Sequence, residues 1–274
     1  MTDISINLPP SDLPQETATH YDQFFGPLFF EPYAIEVAKR IEPAPAPDAI
    51  VLEIAAGTGR VTRHIRQRIS PSAKLIASDI NEEMLAVAKN KLSHLDIDWQ
   101  KIDAQQLPFN DNSIAQVVCC FGYMFVPDKP KAFAEVYRVL KPDGLFLFTT
   151  WDKLENNAAS YCSRSIAEKY LEEPLSESYN LATSMSDKAV ITPLLENAGF
   201  SKLSIEKVKL FSVSRTAKEA AAGLVGGNIY EEIKKRNPAW IDEIKIKLEK
   251  ELAEKFGAAP MVAPMSAIIC QAWK

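Results

Sequence analysis

The sequence predicts a doubly wound α/β domain, a parallel sheet covered by helices on both faces. Two observations carry this. Between residues 49 and 151, short apolar runs of strand length alternate with stretches of helical periodicity, the pattern of a sheet built from β-α units. The first of those runs ends in a turn of small residues, Ala55-Ala-Gly57-Thr-Gly59, which opens a helix. The chain of 274 residues is long enough for one such domain with a sizeable cap.

Taken in order, residues 1–15 are polar, contain Pro9, Pro10 and Pro14, and are expected to be poorly ordered. A helix is expected over 27–41, with Leu28, Phe29, Tyr33, Val37 and Ile41 as its apolar stripe. The prolines of 42–48 cannot continue it and make a stiff connector. Strands are expected at 50–54, 73–78, 97–102, 114–120 and 145–150. Helices are expected at 58–69, at 82–95 with Asn81 as its cap, and at 131–140. Residues 141–144 read as a turn, and 152–187 show no clean period. A helix at 188–198 ends at Gly199, and a long strand follows at 201–213. Residues 215–260 form a helical insertion in which Trp240, Ile244, Leu248, Leu252 and Phe256 recur every fourth position. A last strand covers 265–273. Four parts are expected: an N-terminal segment at 1–48, a core at 49–151, a lid at 152–187 and a C-terminal part at 188–274.

Composition narrows the function classes. The net charge of -5 disfavours a phosphate backbone as a partner. No run of about 18 apolar residues is present, so no membrane span is expected. Met1 to Leu13 lack the layout of a signal peptide, and the expected location is cytoplasmic. Cys119, Cys120, Cys162 and Cys270 have no C-x-x-C spacing, and His20, His64 and His94 are scattered, so no metal centre is expected.

The chemistry gathers at the ends of the strands. Small residues at 55–59 let a ligand approach the backbone, and the helix behind them offers free N–H groups. The dinucleotide pattern G-x-G-x-x-G is not met, because Thr62 or Arg60 falls on its third glycine. Glu53, inside the strand end, favours a cationic ligand instead. S-adenosylmethionine has an amino group and a sulfonium and no phosphate. Asp79, 20 residues beyond Gly59, suits both hydroxyls of a ribose; Ile80 follows it. Asp103 and Ala104 can meet the adenine amine through a carboxylate and an N–H. Phe121, at the end of the fourth strand, points into the crevice.

With those residues in place, the sequence resembles the class I S-adenosylmethionine-dependent methyltransferases, in particular the small-molecule group of the ubiquinone/menaquinone-biosynthesis type. The E/D-x-G-x-G-x-G motif of that family falls on Glu53, Ala55, Gly57 and Gly59. Alanine replaces the first glycine, which is tolerable where φ is negative. Asp79 matches the ribose ligand, Asp103-Ala104 the adenine contact, and Leu107-Pro-Phe109 a further family segment. The stretch from Phe133 to Gly144 matches the helix and turn before strand five, so the likeness covers about residues 20–151. It implies a Rossmann-like sheet of seven strands, mostly parallel, with the last strand antiparallel and helical cap insertions. It also implies that Tyr21 closes over the methionine moiety. The cofactor is then S-adenosyl-L-methionine, leaving as S-adenosyl-L-homocysteine.

The expected activity is methyl transfer to a small apolar or aromatic molecule, with no nucleic-acid partner and room for a homodimer. Trp151, Tyr161, Tyr170, Tyr179, Leu224, Tyr230, Trp240, Met261 and Met265 are candidates for the acceptor's lining. In-line displacement from a sulfonium depends on positioning, and no catalytic base is assigned; His20, Asp128 and Asp152 are within reach of the strand ends. The same residues admit plainer roles, Gly57 and Gly59 as a tight turn, Asp79 as a helix cap, Asp103 as a loop residue and Phe121 as core. An NAD(P)-dependent oxidoreductase, a nucleic-acid methyltransferase and a non-catalytic cofactor-binding module are the competing readings.

Overall fold

The structure, a computed structural model, describes residues 18–19, 21–43, 48–171, 177–226 and 228–274. The expectations for 1–15, for His20, for the middle of the proline connector and for the Tyr179 side chain fall outside the described residues.

Seven strands form one sheet in the order β3-β2-β1-β4-β5-β7-β6. They are β1 (Ile50–Ile54), β2 (Lys74–Asp79), β3 (Asp98–Lys101), β4 (Ile114–Cys120), β5 (Leu140–Trp151), β6 (Lys202–Ser214) and β7 (Met261–Trp273). The first five pair in parallel, and β7 runs antiparallel to both β5 and β6. Val51, Leu52, Val117, Val118, Phe146, Leu147 and Phe148 are fully or almost fully buried, as strands covered on both faces require. The order reverses at β1, which has β2 on one side and β4 on the other. That reversal opens a crevice beyond the carboxyl ends of β1 and β4.

The helices between strands are α2 (Arg60–Arg68), α3 (Glu82–Lys91) and α4 (Lys129–Val139). Asn81 caps α3 by accepting the Met84 N–H, and Asp128 caps α4 through the Lys131 N–H. Asp128 is therefore an exposed helix cap and not a base beside the crevice. Ahead of β1, a π-helical stretch Tyr21–Phe30 runs directly into α1 (Glu31–Ala38). The sequence places this helix at 27–41; it starts earlier because Tyr21, Phe25 and Phe30 stack on one another and extend the apolar contact backwards.

Residues 141–144 are a bulge inside β5, between the Ile114–Leu140 and Gln116–Leu145 pairs, and not a turn before it. The unpatterned stretch 152–187 holds a full helix, α5 (Ala158–Leu171). Past α6 (Lys188–Ala198), the insertion between β6 and β7 is α7 (Ala217–Leu224), α8 (Asn228–Arg236) and α9 (Ala239–Phe256). The fourth-residue stripe of α9 is its buried face, with Ile244, Leu248 and Leu252 at 0% exposure. No helix of the described residues is long and apolar enough to cross a membrane.

Candidate functional site

The carboxyl ends of β1, β2 and β4 bring most of the expected residues together. The chain leaves β1 at Ile54 and turns through Ala55, Gly57 and Gly59, all at positive φ (55°, 55° and 76°). The condition under which alanine is readily tolerated, a negative φ, is not met at Ala55: the turn demands the left-handed conformation there, and alanine adopts it at a cost that glycine avoids. The two glycines differ in purpose. A Cβ on Gly57 would meet nothing within 4 Å, so that side of the turn is open to a ligand. A Cβ on Gly59 would stand 2.9 Å from Leu92 Cδ1, so this glycine lets the turn pack on the end of α3.

Asp79 ends β2 and holds the turn. Its Oδ2 accepts the Gly57 N–H at 2.8 Å, and its Oδ1 accepts the Asn81 N–H at 2.9 Å. Each oxygen retains a lone pair for a further donor. Burial raises its pKa against the pull of these N–H groups. Glu53 lies in β1 at 1% exposure, and its Oε2 has no hydrogen-bond partner among the described residues. Burial pushes its carboxyl up to about 8, and the nearby Asp79 charge adds to the shift. A buried carboxyl with an unused oxygen is costly unless a donor or cation completes it. Glu53 and Asp79 thus fit a group that has an ammonium and a diol.

Phe121 follows β4 and is 6% exposed, with φ at 59°. Its N–H reaches Thr149 O and Thr149 Oγ1, each at 3.1 Å. Its ring stacks on Trp151 with centroids 4.0 Å apart. Tyr33 meets both rings edge-on, at 5.5 Å and 5.6 Å, and Phe30 lies 5.5 Å from Phe121. Tyr33 donates its hydroxyl to Val208 O at 2.9 Å, which ties the cluster to β6. Of the residues expected to line an acceptor site, Trp151 stands in this cluster. Tyr230 instead packs on α5 through Ser163, Tyr170 pairs with Trp240, and Tyr161 is 46% exposed. The other half of the wall, Phe30 and Tyr33, comes from the N-terminal helices, and of these two the predicted apolar stripe includes Tyr33.

Tyr21 is stacked between Phe25 and Phe30, and burial together with the Asp79 charge raises its hydroxyl above the ordinary range. Asp22 beside it accepts from Thr58 Oγ1 at 2.7 Å, Arg60 Nη2 at 3.1 Å and Lys91 Nζ at 2.6 Å. Glu31 holds Arg60, Arg63 and His64. These pairs strap the N-terminal helices across the glycine turn. Sequence reasoning misses them, because Asp22 and Arg60 are 38 positions apart and no local spacing announces the contact.

The other expected residues sit further out. Asp103 follows β3, and its carboxylate accepts the Gln105 N–H at 2.8 Å; it shares no hydrogen bond with the other candidates among the described residues. Ala104 is buried beside it, and Ile80 is 50% exposed. Asp152 is 1% exposed and accepts from Lys153 N, Asn156 Nδ2, Lys207 Nζ and Ser266 Oγ. Burial alone would raise its pKa, but those donors, Lys207 foremost, hold it below the usual carboxylate value. A carboxylate so occupied braces β5 and does not act as a base. Burial pushes the Cys120 thiol up to about 12, so no thiolate nucleophile is present at neutral pH.

A family profile described as a methyltransferase domain matches residues 51–144, the stretch from β1 into β5. The ubiquinone/menaquinone biosynthesis C-methyltransferase of Pseudoalteromonas translucida is 39% identical over 114 residues, which are 40% of this chain and 45% of that protein. The same enzyme of Idiomarina loihiensis is 31% identical over 172 residues, 58% of this chain and 68% of that protein. The chain spans less than half the length of the first curated relatives it matches. In fold, it resembles Haemonchus contortus phosphoethanolamine N-methyltransferase 2 solved with S-adenosyl-L-methionine, with a TM-score of 0.60, 18% identity, and coverage of 95% of this chain and 57% of that one. Sequence kinship over two thirds of a relative leads to one conclusion: the chain belongs to the class I S-adenosylmethionine-dependent methyltransferase family, and within it is similar to the ubiquinone/menaquinone-biosynthesis C-methyltransferases.

Proposed function

We propose that this chain transfers a methyl group from S-adenosyl-L-methionine to a small, apolar or aromatic acceptor. The observation that carries the reading is the combination of a buried Glu53 whose Oε2 has no partner with Asp79 at an open glycine turn. Glu53 suits the cofactor's ammonium, Asp79 the two ribose hydroxyls, and Gly57 a close backbone approach. By family likeness, Asp103 and Ala104 take the adenine edge and Tyr21 closes over the methionine end; Ile80, at the rim, flanks the ribose. When bound, the cofactor supplies an electrophilic methyl group on its sulfonium.

The protein's own part is positioning and exclusion of water. The half-buried Phe30 and Trp151, backed by the buried Tyr33 and Phe121, form a wall of rings beyond β4 and β5, and flat apolar molecules pack well on such rings. Neither Tyr33 nor the neighbouring Asp152 is a free base: Asp152 is fully engaged, and the Tyr33 hydroxyl donates a hydrogen bond to Val208 O. The reading therefore assigns catalysis to holding nucleophile and methyl together in a dry site. It takes no nucleic acid as substrate, in keeping with the net charge of -5.

Isothermal titration with S-adenosylmethionine, S-adenosylhomocysteine and NADH tests it. Binding of the first two in the micromolar range, with no heat from NADH, is the expected result. Binding of NADH alone would replace the reading by the oxidoreductase one. A screen of isoprenoid and aromatic acceptors with radiolabelled cofactor then reads the transfer itself.

A further inference from the structure

We infer that the free end of the β6–β7 ribbon is a docking surface for an anionic lipid bilayer. β7 pairs with β5 only from Ala267 to Trp273, whereas its pairing with β6 continues to Met261. The last six pairs, from Lys209–Ser266 to Ser214–Met261, therefore project as a two-stranded ribbon. They project past Trp151, the carboxyl end of β5, and so on the same edge of the sheet as the glycine turn and the aromatic wall. Tyr33 joins the ribbon's base to that wall through Val208 O.

One face of this ribbon is core: Ser212, Met261, Ala263 and Met265 are at most 2% exposed. The alternate face points to solvent, where an antiparallel ribbon ordinarily shows polar side chains. Here, that face carries two apolar cross-strand pairs, Phe211 with Pro264 and Val213 with Val262. Phe211 is 59% exposed, Val213 51% and Val262 38%. A contiguous apolar tip of this kind marks a contact surface.

Charge selects the occupant. Residues 202–218 hold Lys202, Lys207, Lys209, Arg215 and Lys218 against the single acid Glu206, in a chain of net charge -5. Lys207 is engaged by Asp152 and Arg215 by Glu219, but Lys209 and Lys218 have no carboxylate partner among the described residues. Lys209 lies on the ribbon's outward face, two residues from Phe211. An apolar tip beside unpaired cations matches the acyl region and the anionic headgroups of a bilayer. A second copy fits less well. Two-fold pairing centred on Phe211 and Val213 would set Lys209 of each copy against Arg215 of the other, and four side chains fall short of the roughly 800 Å² per partner that stable pairs bury. The docking surface stands whether or not the site transfers methyl groups; if it does, docking turns the aromatic wall towards a source of apolar acceptors.

The test is sedimentation of the full chain with vesicles of phosphatidylcholine alone and of phosphatidylcholine mixed with phosphatidylglycerol. Phe211→Ser/Val213→Ser and Lys209→Glu variants are compared, with melting temperatures to show that all fold and ultracentrifugation to read self-association. The expected result is binding to the mixed vesicles that salt weakens, that falls about tenfold in the double serine variant and that weakens in Lys209→Glu. Equal binding by wild type and the double variant, or no binding by either, overturns the inference. So does a wild-type dimer that the double variant dissolves without any vesicle binding, which would assign the face to a second copy.

Discussion

The carboxylate of Asp79 accepts the Gly57 N–H at 2.8 Å, so the end of β2 fixes the shape of the turn that follows β1. One side chain thus builds the turn and, in the proposed reading, also meets the cofactor. Asp79→Ala removes the acceptor and releases the turn together; S-adenosylhomocysteine affinity should fall by at least about 100-fold. Asp79→Asn retains one acceptor oxygen and should lose about tenfold. Titration calorimetry on both variants checks the order; equal losses would mean that the turn alone matters.

Glu53 makes the empty protein sensitive to alkali. Its carboxyl is raised to about 8 by burial, so between the unfolded value near 4.5 and pH 8 the folded chain binds more protons than the unfolded one. Stability from the neutral form is complete below pH 4.5 and is lost as pH rises through 8, with a slope of up to about 1.4 kcal/mol per pH unit. Glu53→Gln should flatten that slope in urea denaturation measured across pH 5–8.5. A bound ammonium reverses the preference and favours the carboxylate. Cofactor binding near pH 7 should release up to one proton, seen as a dependence of the binding heat on the buffer's ionisation enthalpy, and Glu53→Gln should abolish it.

Much of this arrangement is legible in the sequence, for identifiable reasons. Four of the five parallel strands, β1, β2, β4 and β5, are buried on both faces and read as apolar runs, whereas the edge strand β3 is half-exposed and polar. The glycine turn and Asp79 are set by local geometry, so their spacing survives in the chain. Helix α5 is not legible, because its buried stripe is Ala159, Cys162, Ser163, Ile166, Ala167 and Leu171, mostly small residues that give a weak period. The aromatic wall is half legible: the stripe of the N-terminal helices shows, but only the fold reveals that Phe30 and Tyr33 meet Phe121 and Trp151. The backbone at Ala55 is not legible: the residue type leaves the sign of φ open, and only the fold shows that the turn imposes 55° there.

The methyl of Ala55 fills the space that a side chain at Gly122 would need. An ideal Cβ on Gly122 would stand 2.5 Å from Ala55 Cβ and 2.7 Å from Cys119 Sγ. Gly122→Ala should therefore cost about 1–3 kcal/mol by overpacking and should disturb Phe121, its neighbour. Ala55→Gly relieves one of the two clashes and should restore part of that loss. Denaturant titration of the four-member cycle should give a coupling of about 0.5 kcal/mol or more. Strict additivity would mean that the backbone moves apart instead.

Arg60 holds the N-terminal helices shut over the crevice. Its guanidinium donates to Glu31 Oε2 at 3.0 Å and to Asp22 O at 2.8 Å, and it lies so close to Gly26 that a Cβ there would be 2.2 Å from Nη2. Burial works against ionisation of Asp22 and Glu31, but the hydrogen bonds from Lys91 and Thr58 to the one and from His64, Arg60 and Arg63 to the other outweigh it and lower both pKa values. The strap's contribution is present above the unfolded carboxyl values, near pH 4, and is lost as pH falls through the lower folded ones. Arg60→Met should loosen residues 21–38 at neutral pH without unfolding the sheet, because the β1–β5 core packs independently of these pairs. Amide exchange there should speed up about tenfold or more, while β1 and β4 retain their protection. If the strap also retains cofactor, dissociation of S-adenosylhomocysteine from the variant should accelerate more than its association. A uniform rise in exchange across sheet and helices would show that Arg60 supports the whole fold and that the strap is not a separable element.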